Sequence, residues 1–206
     1  MANSINTNVG AMVALQNLNA TGRDLKVTQD RVSTGLKVGS AKDNGAIWAI
    51  SQNQKANMGV LNATRNALQR TMSVNDVGLA AGETIMDALR QMKELAAGPA
   101  SAARDADLAA LRTEVVAAQA AAVFDGTAAL SGLTLTIAAA PTAGQIDADI
   151  ASAITALQAL GTSAKSTERS LVFNDKLQDA IESGIGNLVD ADLAKESARL
   201  TALQTK

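Results

Sequence analysis

The chain has 206 residues, a formal net charge of -2 and a sequence pI near 5.2, so its electrostatics give no case for a nucleic-acid partner. Cys and His are absent and aromatics make up 1% of the chain. That removes a disulfide framework, thiolate and imidazole metal ligands, the commonest general base and an aromatic-filled core. Ala, the best helix former, is abundant, and small side chains favour close contact between helices.

No secretory signal is expected at the N-terminus, because Asn3, Asn6, Asn8, Gln16 and Asn17 break up any apolar run. No segment approaches the roughly 20 apolar residues of a membrane span, so no membrane partner is expected. Composition alone would place the chain in the cytoplasm.

Residues from about 8 to 34 read as a first amphipathic helix. Leu15, Leu18, Leu25 and Val32 recur at heptad-like steps, with Gly22 and Gln29 weakening the intervening core positions. Such a helix is marginal by itself. A joint follows over 30–46. Gly35 and Gly39 there permit unusual backbone angles, and Ser40 and Asp43 are good helix N-cap types.

A second, much longer helix is expected near 43–98. Ile47, Ser51, Gln54, Met58, Leu61, Arg65, Leu68, Met72, Asn75, Leu79, Gly82, Met86 and Leu89 alternate steps of three and four. Gly98-Pro99 is its stop signal. At about 1.5 Å per residue it would run roughly 80 Å, which predicts a rod. Trp48, the only Trp, is read as a packing anchor.

A third helix is expected near 104–124, with Leu108, Leu111, Val115, Ala118 and Ala122 on one face. Asp125-Gly126 is a turn signal. Leu133, Leu135 and Ile137 alternate with Thr134 and Thr136, which predicts a strand and places a short β-hairpin around 127–139. Pro141-Thr142-Ala143-Gly144 reads as a turn. The last helix, near 146–186, carries the same alternation through Ile146, Ile150, Ala153, Leu157, Leu160, Ala164, Leu171, Asn174, Ile181 and Ile185, and on to Leu188. The expected fold is thus mainly all-α, an elongated helical bundle with coiled-coil patterning and one small β-hairpin.

No catalytic constellation is found. Asp190 with Asp192, and Asp105 with Asp107, lack the further ligands of a calcium loop and read as solvated helix charges. The 35–45 stretch has Gly, Lys and Ser but not the phosphate-loop spacing. No enzyme activity, cofactor or metal site is expected.

The string Arg31, Ser33, Thr34, Gly35, Ser40, Ala41, Lys42 and Asp43 resembles the N-terminal signature of bacterial flagellins, with Asn44 in place of the usual second Asp. The opening Ser4-Ile5-Asn6-Thr7-Asn8 is similar to the family's first residues. Asn187-Leu188-Val189-Asp190-Ala191-Asp192-Leu193-Ala194-Lys195-Glu196 is similar to its C-terminal signature, and Phe124-Asp125-Gly126-Thr127 to the turn after its third helix.

The resemblance implies a structural subunit that self-assembles into the flagellar filament used for swimming. It implies an extracellular protein exported through the flagellar channel without a cleaved signal, against the compositional reading. Its implied partners are other flagellin subunits, the export apparatus and export chaperone, and the filament cap and hook–filament junction proteins. A hook–filament junction protein and a flagellin-like surface adhesin or ligand-binding protein are the alternatives. The opening Ser-Ile-Asn-Thr-Asn disfavours the first, and the scarcity of cavity-lining aromatics the second.

The resemblance divides the chain into an inner-tube helix and joint at 1–41, a rod core at 42–186, and the start of a C-terminal inner-tube helix at 187–206. It implies that Leu15, Leu18, Leu25, Arg31, Val32, Lys37, Lys42 and Asp43 contact neighbouring subunits. It also implies that the variable outer domains are missing between hairpin and last helix, and that the terminal helix is cut short at Lys206. Within Leu89-Arg90-Gln91-Met92-Lys93-Glu94-Leu95-Ala96, where flagellins are read by an animal innate receptor, Gln91 and Lys93 stand where many relatives have Arg, which weakens the case for recognition.

Overall fold

The computed structural model describes residues 8–136, 138 and 141–205. Among them are five helices: α1 Val9–Thr34, α2 Gly45–Ala97, α3 Ala102–Ala121, α4 Ala143–Val189 and α5 Leu193–Gln204. Two short strands, β1 Val123–Phe124 and β2 Thr127–Ala128, form one antiparallel hairpin. The protein is mainly α-helical with a small hairpin, as its periodicity predicts. The opening Ser4 to Thr7, the strand position Ile137 and the terminal Lys206 lie outside the described residues.

The contacts sort the chain into two units. The first comprises Met1–Val60 with Leu177–Lys206, the second Leu61–Lys176.

In the second unit, α2, α3 and α4 enclose one apolar core. Ile85, Leu89, Met92, Leu108, Val115 and Ile146 are its largest fully buried side chains. They sit at the three–four spacing that puts one stripe of each helix inward. Two glycines set how closely α2 and α4 approach. A Cβ at Gly82 would lie 2.3 Å from Leu157 Cδ2, and one at Gly78 would lie 2.9 Å from Leu160 Cδ1. Farther along the same pair of helices the seam turns polar. Asn75 Nδ2 donates to Ser163 Oγ at 3.2 Å, and Asn174 Nδ2 to the Leu61 carbonyl at 3.2 Å. Satisfied polar groups of this kind make a seam specific in register at some cost in stability.

The helix ends follow from local chemistry. Gly98-Pro99 follows Ala97, and the proline cannot continue α2. Ser101 caps α3 by accepting from the Arg104 amide. Thr142 and Gln145 cap α4 reciprocally: Thr142 Oγ1 accepts from the Gln145 amide, and Gln145 Oε1 accepts from the Thr142 amide at 2.9 Å. The stretch read as a free turn is therefore the capping box of α4, which starts at Ala143 rather than near 146.

The hairpin lies earlier than its sequence pattern placed it. Asp125-Gly126 is not a turn before the hairpin but the turn of the hairpin itself, with φ values of 49° and 75°. Positive φ at both central positions is the two-residue geometry that matches strand twist. Leu133 is buried, Leu135 half-buried, and Thr134 and Thr136 face out, so the predicted alternation is present. No strand forms over 133–136, because side chains satisfy its backbone: Gln119 Nε2 donates to the Leu133 carbonyl, and the Thr136 amide donates to Asp149 Oδ1 at 2.7 Å.

In the first unit, Val38, Ile185 and Val189 form a small core with Leu36, Ile47, Trp48 and Ile181 packed on it. Trp48 is half-buried there, the anchor its singularity suggested. Asn8 caps the start of α1, its side chain accepting from the Ala11 amide, and Gly35 caps its end with φ 72°. That left-handed position is where a helix end favours glycine. Gly39 adopts no positive φ.

Candidate subunit-contact surface at the chain ends

The joint after α1 is organised by backbone pairing. Leu36 and Asp190 form an isolated antiparallel bridge. The Ala191 amide donates to the Gly35 carbonyl at 2.8 Å, and the Lys37 amide donates to the Val189 carbonyl at 2.7 Å. Helix α1 arrives at this bridge and α5 leaves it, so the two helices lie against each other antiparallel.

Within the joint, Asp43 does not cap α2. Its Oδ2 accepts from the Gly39 and Ser40 amides and from the Ser40 hydroxyl at 2.9–3.1 Å. Hydrogen bonds from the Ser40 amide and then its hydroxyl hold the Asp43 carboxyl below its ordinary pKa of 3.8, with smaller help from Gly39 and the Arg31 charge. Asn44 caps α2 instead, accepting from the Ile47 amide at 3.1 Å. Ser40 donates to a turn and caps no helix. Both departures have one cause: an Asx-type side chain can close either a turn or a helix end, and the backbone path decides which.

Asp192 caps α5 through the Ala194 and Lys195 amides. One turn on, Glu196 Oε1 accepts from Arg31 Nη1 at 3.1 Å, with the two side chains 12% and 28% exposed. Glu196 Oε2 is buried without a hydrogen-bond partner among the described residues. Lys37, Asp190, Asp192, Lys195 and Arg199 line a cleft of about 340 Å³ around this pair. Charge is thus concentrated where the two chain ends meet.

The expected contact residues fall into three groups. Leu25 and Val32 are half-buried on the same face of α1 as the buried Thr28. Arg31 and Lys37 stand at the charged cleft, and Lys42 and Asp43 are exposed in the joint. Leu15 and Leu18 remain 59% and 68% exposed, and Val9, Met12 and Val13 are exposed beside them. Among the described residues, α5 spans about 18 Å and α1 about 39 Å, and α5 lies along the half of α1 nearest the joint. Reading the sequence alone missed Glu196, the partner of Arg31. A cation in the last turn of one helix and an acid in the first turn of another were the available signal, and both also suit their own helix dipoles.

Among the described residues, no group of three or more acidic side chains is placed to hold a metal ion, and no helix is long and apolar enough to cross a membrane.

The chain matches the bacterial flagellin N-terminal helical region over residues 5–134. It is 45% identical to flagellin FljM and 46% identical to flagellin FljO of Caulobacter vibrioides, over 99% of this chain and 90% of each relative. It is 28% identical to a flagellin of Brucella melitensis over 98% of this chain and 91% of that one. The two Caulobacter alignments run over 247 positions, more than this chain's 206 residues, so those relatives carry segments within the matched span that this chain lacks.

Proposed function

The chain belongs to the bacterial flagellin family, and on that premise we propose how its residues serve a structural subunit of the extracellular flagellar filament that drives swimming. The reading rests on one observation: α1 and α5 pair from a backbone bridge, and among the described residues the first half of α1 keeps its apolar face exposed. In an open helical polymer each subunit offers a patch to one neighbour and its complement to another. The face carrying Leu15 and Leu18 is one such patch. Arg31, Val32, Lys37, Lys42 and Asp43, with Leu25, form the second, charged contact at the joint.

Residues 1–41 and 187–206 then serve the inner tube, and 42–186 the rod core. The other partners are the export apparatus with its chaperone, the filament cap at the growing tip and the hook–filament junction proteins at the base. Export leaves the N-terminus uncleaved.

The test is growth onto sheared filaments of the Caulobacter vibrioides flagellins. The unmodified chain sets the reference rate of addition to the seeds, read by sedimentation. The Leu15→Asp, Leu18→Asp double variant is expected to keep its helical circular dichroism, because both positions are exposed, and to lose elongation. Elongation of the double variant at the unmodified rate refutes the assignment of this face.

A further inference from the structure

Only one Asn in the chain is followed by Gly, and it stands in the joint. Asn44-Gly45 opens α2, and every residue from Gly39 to Ala46 is exposed. Asn44 Oδ1 accepts from the Ile47 amide at 3.1 Å, and the Asn44 carbonyl accepts from the Trp48 amide at 2.9 Å. The Gly45 amide is the first of the helix, where a backbone N–H has no intrahelical acceptor, and it donates to nothing among the described residues. A free backbone nitrogen therefore follows a side-chain amide held at the positive end of a helix. Glycine adds no Cβ to obstruct their approach.

Asn8 is the internal comparison. It caps α1 in the same way, accepting from the Ala11 amide at 3.1 Å, and it too is exposed. The residue after it is Val9, whose branched side chain crowds the backbone nitrogen. Asn53, Asn57, Asn62 and Asn66 lie inside α2, where the next amide is engaged in the helix ladder.

We propose that Asn44 is a self-modification site, at which the Gly45 nitrogen converts the side-chain amide to an acid. The Gly45 amide gives its proton to hydroxide, and its nitrogen bonds to Asn44 Cγ. Negative charge develops on Oδ1, at which the Ile47 N–H already points. The Cγ–Nδ2 bond then breaks, and ammonia leaves with a proton taken from water. The product is a five-membered succinimide, which water opens at either carbonyl. Breaking the bond from nitrogen to Cγ gives aspartate at position 44. Breaking the bond from nitrogen to the main-chain carbonyl carbon gives isoaspartate. The sum is one amide and one water converted to one acid and ammonia, with no oxidant or reductant. The aspartate product caps α2 as well as asparagine does. The isoaspartate product runs the main chain through Cγ, so the carbonyl that holds Trp48 becomes a side-chain carboxylate. Either product adds a negative charge beside Asp43. The reaction needs only the folded chain and does not depend on the filament reading.

The test holds the full chain in dilute, mildly alkaline buffer and samples it over days. Proteolytic peptides are read by mass spectrometry. Isoaspartate is read by methyl transfer from S-adenosylmethionine with an isoaspartyl methyltransferase. Asn44 is expected to be half converted before Asn8 shows product, with isoaspartate present and a rate that rises with pH. Gly45→Ala is the matched variant, because a Cβ there meets nothing within 4 Å and the position has no positive φ. It is expected to keep its helical circular dichroism and to lose methyl acceptance. Conversion of Asn44 no faster than that of Asn8 overturns the proposal, as does conversion undiminished in Gly45→Ala. An Asn44 that converts only in urea overturns it too, since the cap then protects the amide. Acid at position 44 without isoaspartate also refutes it, because direct hydrolysis forms no ring.

Discussion

Replacing Gly82 by Ala separates helix propensity from helix packing, because the two act in opposite directions there. In an exposed helix interior Gly→Ala stabilises by roughly 0.5–1 kcal/mol, through a less costly ordering of the backbone. Gly59 supplies that baseline: it lies in α2, is exposed, and a Cβ there would meet nothing within 4 Å. Gly82 is buried, and its added Cβ would stand 2.3 Å from Leu157 Cδ2 and 3.1 Å from Cγ. Leu157 must leave its rotamer or α2 and α4 must separate, and overpacking of this kind costs about 1–3 kcal/mol. The packing cost exceeds the propensity gain, so Gly82→Ala is expected to destabilise by about 1–2 kcal/mol while Gly59→Ala stabilises.

The mechanism is checked by a double-mutant cycle. In a Leu157→Ala background the obstruction is gone, and Gly82→Ala is expected to become stabilising, with a coupling of about 2 kcal/mol. Urea unfolding followed by circular dichroism gives the midpoints, compared at a common slope. If Gly82→Ala stabilises the unaltered chain as much as Gly59→Ala does, the close approach of α2 and α4 is not what excludes a side chain, and the packing argument fails.

Two further outcomes follow from the joint. Asp43 has a pKa lowered in the folded state, so its turn is fully stabilised above its ordinary value of 3.8 and loses that stabilisation as pH falls through the lower folded value; amide protection at Gly39 and Ser40, taken relative to intrinsic exchange at each pH, should fall over that window, and Asp43→Ala should remove that pH-dependent loss of protection. Arg31→Ala leaves the Glu196 carboxylate largely buried without its cation, which should cost about 1–3 kcal/mol, and adding Glu196→Gln should recover part of the loss; thermal unfolding read by Trp48 fluorescence reports on this unit, and an unchanged midpoint for Arg31→Ala would show the pair to be inert.

The helices were legible in the sequence because their causes are local. The three–four alternation from Ile47 to Leu89, the Gly98-Pro99 stop and the glycine after Thr34 each act within a few residues of the place they specify. Chain order and the family signature could be read in the same way, since Arg31 to Asp43 and Asn187 to Glu196 are contiguous strings. What tertiary structure alone decided involves partners distant in the chain. Leu133 and Leu135 alternate as a strand would, but the Gln119 and Asp149 side chains took up the backbone groups a neighbouring strand would have used. Arg31 pairs with Glu196, 165 positions away, and no neighbouring residue announces that acid. Gly82 looked like one weak position in a stripe until Leu157 was seen to occupy the space of its missing side chain. Periodicity states which face of an element is buried; what that face meets depends on the closure of long loops, and no short window of sequence contains it.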